Sequence, residues 1–438
     1  MIVHSKQRLH IDGKKKITQE GELIDLTYDK KIVSEVYFPM FANNGKELEV
    51  KVKVGNNVKV GDMLTCRSDF YVPYFSSVSG RVKEIKELYF PALNKKVNHL
   101  VIENDFKYSK RDLPKIDIDK ASREEIIEAI KQAGIVGLGG AGFPTYFKYS
   151  CNEKIDAVLI NAVECEPYLT TDHVTMKNNL ELLLKGCLIL KKAADANKVV
   201  IAFKRNKKDL KAMINKRLVD YPFIEIKEVR DAYPMGWEKL LIQKALKLDY
   251  EKLPSEVGVI VNNSNTCISV ADALLNQNMI TKRITTFSGN ALKKPSNVLV
   301  PMGALVNKII KKIGSYSEEE VCLLPGGPMT STAVRSDEFA LTPTMGGIIA
   351  MKKLDIESEP CLKCGACIEN CPANIQPIEI KEALDRREVD TLMKLEPNRC
   401  CECGVCSFVC PSKIELTEAV KKAKLYLSVT KNKQGGNK

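Results

Sequence analysis

Short stretches of alternating polar and apolar residues run through the first hundred positions of the chain. The segment ELEVKVKVGNNVKVGDML at 47–64 alternates over most of its length and contains Gly-Asn and Gly-Asp turn signals. SSVSGRVKEI at 76–85 continues the same alternation. Alternation with a period of two is typical of half-buried strands. Residues 1–110 are therefore predicted to form a β-rich domain.

The pattern changes to a helical one after residue 115. In ASREEIIEAIKQAG at 121–134, Ser122 and Glu125 predict a capping box at the start of a helix, and Gly134 predicts its end. Val- and Ile-rich segments then alternate with helical patterns, namely IDAVLINA, KVVIAF and EVGVIV. Strands that alternate with helices favour an α/β layer with a largely parallel sheet, here predicted over residues 115–280.

A second β-rich stretch follows the α/β layer. RITTFSGNALKKPSNVLVPMG at 283–303 has β character and predicts a small separate module within residues 281–340. The fold class predicted for the whole chain is α/β plus β in several domains.

Composition changes this picture little but narrows the class of protein. The chain has 438 residues, of which 44% are hydrophobic and 28% charged, as in a globular protein of about three domains. No apolar run reaches the length of a membrane span, so no transmembrane helix is expected. The net charge of +12 is spread as lysine without interleaved aromatic residues, which argues against nucleic acid. A basic surface of this kind favours docking to an acidic ferredoxin or to an anionic membrane face. The alternative is a lysine-rich surface that contacts only solvent.

Fifteen cysteines are present, and eight of them form two matched runs near the end of the chain. Both runs follow the spacing C-x2-C-x2-C-x3-C-P: Cys361, Cys364, Cys367 and Cys371, then Cys400, Cys403, Cys406 and Cys410. This is the bacterial ferredoxin spacing for two [4Fe–4S] clusters, in which the fourth cysteine of each run ligates the other cluster. Zinc sites usually have two CxxC pairs set further apart, and are less favoured.

The spacing predicts the cluster ligands in two sets of four. One set contains Cys361, Cys364, Cys367 and Cys410, and the other contains Cys400, Cys403, Cys406 and Cys371. Residues 350–425 are predicted to form an α+β dicluster ferredoxin domain. Cys401 is interpreted as a spare thiol beside the second cluster.

A glycine-rich loop, GIVGLGGAGFPTYFKYS at 134–150, follows the first predicted helix. It contains G-x-G-x-x-G at Gly137, Gly139 and Gly142, but a dinucleotide fingerprint would follow a strand and open a helix. So many glycines favour a backbone that approaches a planar or phosphorylated ligand closely. A tight connection between helix and strand is the alternative.

Three motifs in order carry a resemblance to a known family. GLGGAGFPTYFK resembles the flavin loop of the NADH-oxidising flavoprotein subunit of respiratory complex I. NAVECEPYLTTDH at 161–173 looks like the second signature of that flavoprotein, and VNNSNT at 261–266 looks like its third. Together with the two cysteine runs, the chain is similar to the RnfC family of the Rnf electron transport complex. Its soluble branch, the proline reductase-associated electron-transfer protein, is also compatible.

The resemblance implies a fold and a set of binding residues. The fold is a barrel-sandwich-like β domain, a Rossmann-like FMN/NADH domain, a β-grasp (SLBB) segment and the dicluster ferredoxin domain. The implied cofactor-binding residues are Gly137, Gly139, Gly140, Gly142, Lys148, Asn161, Glu164, Glu166, Gly236, Glu238, Asn262, Asn263 and Thr266. Lysine can neutralise a phosphate, and asparagine can satisfy the polar edge of a flavin. Trp237, the only tryptophan, could stack on a ring or block one.

The implied activity is electron transfer from NADH. NADH gives up two electrons at once, a cubane cluster accepts one, and a flavin can do both, so the expected cofactors are FMN, NADH and two [4Fe–4S] clusters. No residue is assigned as a general base. The implied partners are a ferredoxin-like or membrane-complex protein, or a soluble substrate reductase. The implied location is the cytoplasm, including a peripheral position on the cytoplasmic face of the cell membrane. The alternative from another class of function is an adaptor protein that has no flavin and only relays electrons between partners through its clusters.

Overall fold

The N-terminal part of the chain is rich in short strands, as predicted. The computed structural model describes residues 9–11, 13–112, 115–354 and 356–435. Antiparallel pairs build a four-stranded sheet in the order β2-β8-β7-β4 and a three-stranded sheet in the order β3-β5-β6. The elements are α1 (Lys15–Glu20), β1 (Ile24–Asp25), α2 (Lys30–Val33), β2 (Glu35–Pro39), β3 (Glu49–Val50), β4 (Asn57–Val58), β5 (Met63–Cys66), β6 (Pro73–Phe75), β7 (Gly80–Phe90) and β8 (Lys95–Asn104).

The middle of the chain forms the predicted α/β layer around a parallel sheet with strand order β11-β10-β9-β12. The capping box of Ser122 and Glu125 is present at the start of α3. The sequence pattern missed β11, because its exposed Glu and Lys residues interrupt the apolar run. The elements are α3 (Arg123–Gln132), α4 (Thr145–Tyr149), β9 (Ala157–Asn161), α5 (Thr171–Asn178), α6 (Leu180–Ala194), β10 (Lys198–Lys204), α7 (Lys208–Asn215), β11 (Ile224–Val229), α8 (Glu238–Leu246), β12 (Val259–Asn263) and α9 (Ser264–Asn276).

The second β-rich stretch is not a separate module. It forms a mixed five-stranded sheet in the order β1-β14-β13-β16-β15, which takes one strand from the N-terminal part. Phe287, Val298 and Ile348 of this sheet share one hydrophobic core with Val36 and Ile102 of the N-terminal domain. The apolar faces of the two β regions thus bury each other. The elements are β13 (Lys282–Ser288), β14 (Ser296–Pro301), α10 (Val306–Ile313), β15 (Val321–Pro325) and β16 (Gly347–Lys352).

The cysteine-rich region has one short helix inside each cysteine run and further helices after each run. Ile380, Leu392 and Val420 form the centre of its core, and Cys371 packs beside them. None of the helices in the described part of the chain is long and apolar enough to cross a membrane. The elements are α11 (Ala366–Glu369), α12 (Pro377–Asp385), α13 (Val389–Lys394), α14 (Val405–Phe408) and α15 (Leu416–Gly435).

Candidate functional site

The parallel sheet has a reversal in strand order between β9 and β12. β10 and β11 lie on one side of β9, and β12 lies on the other. The two strands end in register at Asn161 and Asn263. In open α/β sheets, ligands bind in the crevice at the carboxyl ends of strands where the order reverses. The two asparagines implied by the second and third motifs therefore meet at the position where a ligand is expected.

The glycine loop lies against this point. The Leu138 N–H donates a hydrogen bond of 2.9 Å to the Thr266 hydroxyl at the start of α9. A Cβ atom added at Gly139 would come within 3.2 Å of the Asn263 side chain, whereas one added at Gly140 would meet nothing within 4 Å. The loop is thus pinned on one side, and its exposed tip at residues 139–141 leaves open space on the other.

The N-terminus of α9 offers unsatisfied polar groups beside the loop. The Asn263 carboxamide caps the helix by accepting from the Asn265 and Thr266 N–H groups, and its Nδ2 donates to Asp172 over 2.7 Å. The buried Ser264 hydroxyl and Asn265 Oδ1 have no hydrogen-bond partner. The N-terminus of a helix favours binding of a phosphate group, and buried polar atoms without hydrogen-bond partners indicate a position where a ligand binds. The residues present therefore fit FMN.

Lys148 and Glu238 also lie at this edge of the sheet. The Lys148 ammonium donates a hydrogen bond of 2.8 Å to the Val261 carbonyl and lies 3.7 Å from the Glu238 carboxylate. Asn262 is buried, and its amide donates to the Tyr149 hydroxyl at the end of α4. Asn262 thus holds α4 in place, and α4 carries Lys148.

The second motif folds back on the segment AYPMGWEK at 232–239, which contains Gly236 and Glu238. The Asn161 amide donates a hydrogen bond of 2.8 Å to the Gly236 carbonyl. A Cβ atom added at Gly236 would lie 2.9 Å from the Cys165 sulfur, so a larger residue here would displace that side chain. Burial raises the pKa of the Cys165 thiol to about 11, which keeps it protonated at neutral pH.

Glu164 and Glu166, which the resemblance places together, point to different partners. The Glu164 carboxylate accepts hydrogen bonds from the Asp172 and His173 N–H groups at the start of α5, at 2.7 and 3.4 Å. The Glu166 carboxylate accepts from the Met329 N–H at 3.1 Å and the Thr330 hydroxyl at 2.6 Å. Burial raises the pKa of both carboxyl groups. Only Glu164 therefore faces the α9 side of the crevice.

Two further charged residues near Glu164 were not predicted from the sequence. Burial, and next the charge of Glu164, raise the pKa of Asp172 to about 7. Lys15 donates to the Glu164 main-chain carbonyl over 2.6 Å, and burial lowers its pKa to about 8. Asp172 lies inside the quoted second motif, but Lys15 lies in a lysine-rich stretch that gives no signal.

The eight cysteines of the two runs line two cavities, each containing cysteines from both runs. One cavity, of about 230 Å³, is lined by Cys361, Cys364, Cys367 and Cys410. The other is lined by Cys371, Cys400, Cys401, Cys403 and Cys406. All of these are free thiols. Within the described residues, no group of His, Cys, Asp or Glu is arranged to hold a single metal ion. Four cysteines around a cavity fit a cluster, and the fourth cysteine of each run lies at the opposite site.

The second cavity lies against the α/β layer. The Tyr233 hydroxyl donates a hydrogen bond of 2.7 Å to the Cys403 carbonyl. Trp237 packs against the hydrophobic core under β9 and also against the core that contains Cys371. The only tryptophan therefore joins the two domains. Tyr233 was not predicted, although it lies in the quoted AYPMGWEK segment.

Comparison with known protein families divides the chain in the same way. The family described as RnfC Barrel sandwich hybrid domain matches residues 3–107. The Nuo51 FMN-binding domain matches residues 130–272, and the 4Fe-4S dicluster domain matches residues 360–414. The predictions of a barrel-sandwich domain, an FMN domain related to complex I and a dicluster domain are thereby confirmed.

Relatives match over most of the chain. It is 31% identical over 389 residues to the C subunit of the proton-translocating ferredoxin:NAD(+) oxidoreductase complex of Clostridium ljungdahlii, covering 86% of this chain and 83% of that protein. The Na(+)-translocating counterpart of Acetobacterium woodii is 30% identical, with 88% of both chains covered. The C subunit of the ion-translocating oxidoreductase complex of Vibrio cholerae is also 30% identical, but only 48% of its length is covered.

A solved structure of an NAD+-reducing [NiFe]-hydrogenase in its H2-reduced state is 17% identical with a TM-score of 0.48. The match covers 72% of this chain and 63% of that one.

Proposed function

This chain belongs to the RnfC family, and from that premise we propose that it takes electrons from NADH through FMN and passes them through two [4Fe–4S] clusters to a partner protein. One observation carries the proposal. The crevice at Asn161 and Asn263 and the second cysteine-lined cavity lie on either side of one segment, AYPMGWEK. A flavin site and a cluster site are thus joined through a single short stretch of chain.

FMN, when bound, accepts two electrons together and releases them singly, which suits it to stand between NADH and the clusters. We propose that Gly137, Gly139, Gly140 and Gly142 leave room for it and that the N-terminus of α9 binds its phosphate. Thr266 holds the loop through the Leu138 N–H. Asn263 orients the helix start and fixes Asp172. These hydrogen bonds join the glycine loop, the start of α9 and α5.

The remaining proposed binding residues have supporting roles. Lys148 brings a positive charge to the crevice, and Glu238 balances that charge. Asn262 positions the helix that carries Lys148. Asn161 and Gly236 close the crevice on the side of the second cavity. Glu164 holds the start of α5, and Glu166 holds the 326–330 loop. No residue is proposed as a general base, since the chemistry belongs to the cofactors.

The proposed ligand sets are Cys361, Cys364, Cys367 and Cys410 for one cluster, and Cys400, Cys403, Cys406 and Cys371 for the other. Their positions around two separate cavities support the assignment. Cys401 lines the second cavity as well and is proposed to remain a thiol.

The proposal extends to domains, partners and location. The β11-β10-β9-β12 order supports a Rossmann-like label for 115–280. The mixed sheet supports a β-grasp label for 281–340, with β16 added beyond the predicted bound. The relatives are named as C subunits of ion-translocating ferredoxin:NAD(+) oxidoreductase complexes, which supports a membrane-complex or ferredoxin-like partner and a peripheral position at the cytoplasmic face.

Anaerobic reduction by NADH tests the proposal. The parent protein, loaded with FMN and clusters, should lose both flavin and cluster absorbance on addition of NADH. Lys148→Ala should slow this bleaching, while Lys154→Ala, at an exposed lysine, should not. Glu166→Ala should also slow it, because the 326–330 loop loses its anchor. Bleaching of neither chromophore in the parent, while dithionite still reduces both, would exclude the NADH dehydrogenase function.

A further inference from the structure

The two cysteine runs repeat each other in sequence but differ in what covers them. Gly365 and Gly404 occupy the same place in the two runs and have the same φ of +76°. A Cβ atom added at Gly404 would lie 2.2 Å from the Met329 carbonyl oxygen. One added at Gly365 would meet no atom of the described residues within 4 Å. The cavity lined by Cys361 is therefore open beside Gly365. The other cavity is covered at the equivalent position, Gly404, by the segment that contains Met329.

Apolar side chains surround this open cavity. Leu362 and Ile368 line it and are 70% and 37% exposed. Cys364, one of the proposed ligands, is itself exposed. Exposed apolar residues next to a functional group are typical of a protein interaction site. We call the surface formed by Leu362, Cys364, Ile368, Glu379 and Glu382 the open-cavity face.

The rim of the open-cavity face is acidic, in contrast to the chain as a whole. Glu379 and Glu382 line the cavity, and Lys363 is the one basic residue among its lining residues. Glu382 also lies 3.8 Å from Arg386. Residues 356–425 contain twelve Asp and Glu against ten Lys and Arg, although the chain carries a net charge of +12.

We propose that the open-cavity face docks a one-electron redox protein whose own redox centre lies in an apolar patch with a basic rim. The inference rests on the proposed function, since it names the partner for the electrons that leave the chain. A [4Fe–4S] cluster held by Cys361, Cys364, Cys367 and Cys410 would supply the one electron that the partner's centre gains. Complementary charge steers such encounters and sets their dependence on salt. The net positive charge of the chain therefore does not predict the charge of its partner.

The test uses the full-length, cluster-loaded protein, reduced with dithionite that is then removed by anaerobic gel filtration. The measurement therefore does not depend on NADH or FMN, and no dithionite remains to reduce the probe directly. Cytochrome c, a haem protein with a basic rim around an exposed haem edge, is the probe, and an acidic [2Fe–2S] ferredoxin is the comparison. The second-order rate constant for reduction of ferric cytochrome c is measured by stopped flow over a range of ionic strength. The variants are Glu379→Gln/Glu382→Gln on the face and, as a matched control, Glu84→Gln/Glu87→Gln on the exposed part of β7.

We expect the rate with cytochrome c to fall as salt is added, because ions screen the attraction. The Glu379→Gln/Glu382→Gln protein should react about two- to tenfold more slowly than the parent at low salt and converge with it at high salt. Leu362→Ser should lower the rate at all salt concentrations, while Leu253→Ser, at another exposed leucine, should not. Iron content is measured for each variant to show that the cluster sites are intact.

Three results would overturn the inference. The acidic ferredoxin could react faster than cytochrome c at low salt. The two pairs of glutamate variants could have the same rate constants. The chain could also form a dimer that Leu362→Ser abolishes, which would assign the face to a second copy of the chain. Failure of NADH to reduce the parent would instead contradict the proposed function and leave this test valid.

Discussion

The Tyr233 hydroxyl donates a hydrogen bond of 2.7 Å to the main-chain carbonyl of Cys403. Tyr233 belongs to the segment that closes the crevice of the α/β layer, and Cys403 belongs to the second cysteine run. The side chain is buried, so the bond is shielded from water. It fixes the second cysteine run against the domain proposed to bind FMN, and electron transfer between two sites requires that their separation be held constant.

Tyr233→Phe removes this hydrogen bond and leaves a buried carbonyl without its partner. We expect a loss of about 1–2 kcal/mol in stability. Hydrogen bonds around a cluster tune its reduction potential, so the potential of one cluster should shift. Anaerobic redox titration followed by electron paramagnetic resonance measures both clusters. Unchanged potentials for the two clusters, despite lower stability, would show that the tyrosine only supports the fold.

Thr266→Val should weaken FMN binding. The hydroxyl of Thr266 is the acceptor for the Leu138 N–H, and valine leaves that buried donor without a partner at a cost of about 1–3 kcal/mol. If half of that cost falls on the FMN-bound state, the affinity for FMN drops about two- to tenfold. Fluorescence titration of the FMN-free protein with FMN gives the dissociation constant. Thr266→Ser keeps the hydroxyl and should bind FMN like the parent. Equal affinities for the valine and serine proteins would contradict the role of the loop.

The matched glycines of the two cysteine runs should respond differently to the same change. Both Gly404→Ala and Gly365→Ala place a Cβ on a backbone with positive φ, which costs roughly 1 kcal/mol. Gly404→Ala also drives that atom into the Met329 carbonyl, and the contact with the 326–330 loop must shift. We expect loss of iron in Gly404→Ala but near-complete loading in Gly365→Ala. Iron content is measured for both variants after anaerobic reconstitution. More iron in Gly404→Ala than in Gly365→Ala would contradict the packing described.

The assignment of eight cysteines, but not Cys401, as cluster ligands can be tested by iron content. Two [4Fe–4S] clusters correspond to about eight irons per chain. Cys371→Ala and Cys410→Ala should each reduce that number to about four, because each removes a ligand from one cluster only. Cys401→Ala is the control within the second cavity and should retain about eight. A large loss of iron in Cys401→Ala would make that thiol a ligand and change the assignment.

Asp172 should make the stability of the protein depend on pH. Its pKa is about 7 in the folded state, raised by burial and by Glu164, against 3.8 for the ordinary group. The stability contributed by its proton is therefore fully present below about pH 4 and is lost as pH rises through about 7. Asparagine at this position has no charge to bury at any pH. The free energy of unfolding of Asp172→Asn, relative to that of the parent, should therefore rise between pH 5 and pH 8 by on the order of a few kcal/mol.

Anaerobic urea unfolding at several pH values measures this difference. Asp209→Asn is a suitable control, because Asp209 is half exposed and its carboxylate lies 3.3 Å from the His173 ring. A difference between Asp172→Asn and the parent that stays constant from pH 5 to pH 8 would contradict the raised pKa.

Local spacing in the sequence predicted several features correctly. The capping box of Ser122 and Glu125 needs only residues three apart, and it is present. The alternation of Val- and Ile-rich segments predicted β9, β10 and β12 because buried parallel strands are continuously apolar. The cysteine runs predicted clusters because ligand spacing is set by cluster geometry, and the family comparison bears this out. Each of these features depends only on residues that lie close together in the sequence.

Contacts between distant segments could not be predicted in the same way. The sequence grouped Glu164 with Glu166, yet Glu164 turns to α5 and Glu166 to Met329, more than 160 residues away. The matched spacing of the two runs also did not indicate that Gly404 is covered and Gly365 is open. The sequence by itself determined which residues are candidates for the chemistry, because that choice follows from residue type and local spacing. The tertiary structure decided which of them face each other, which are buried and which reach the surface, because packing depends on side chains brought together by the whole fold.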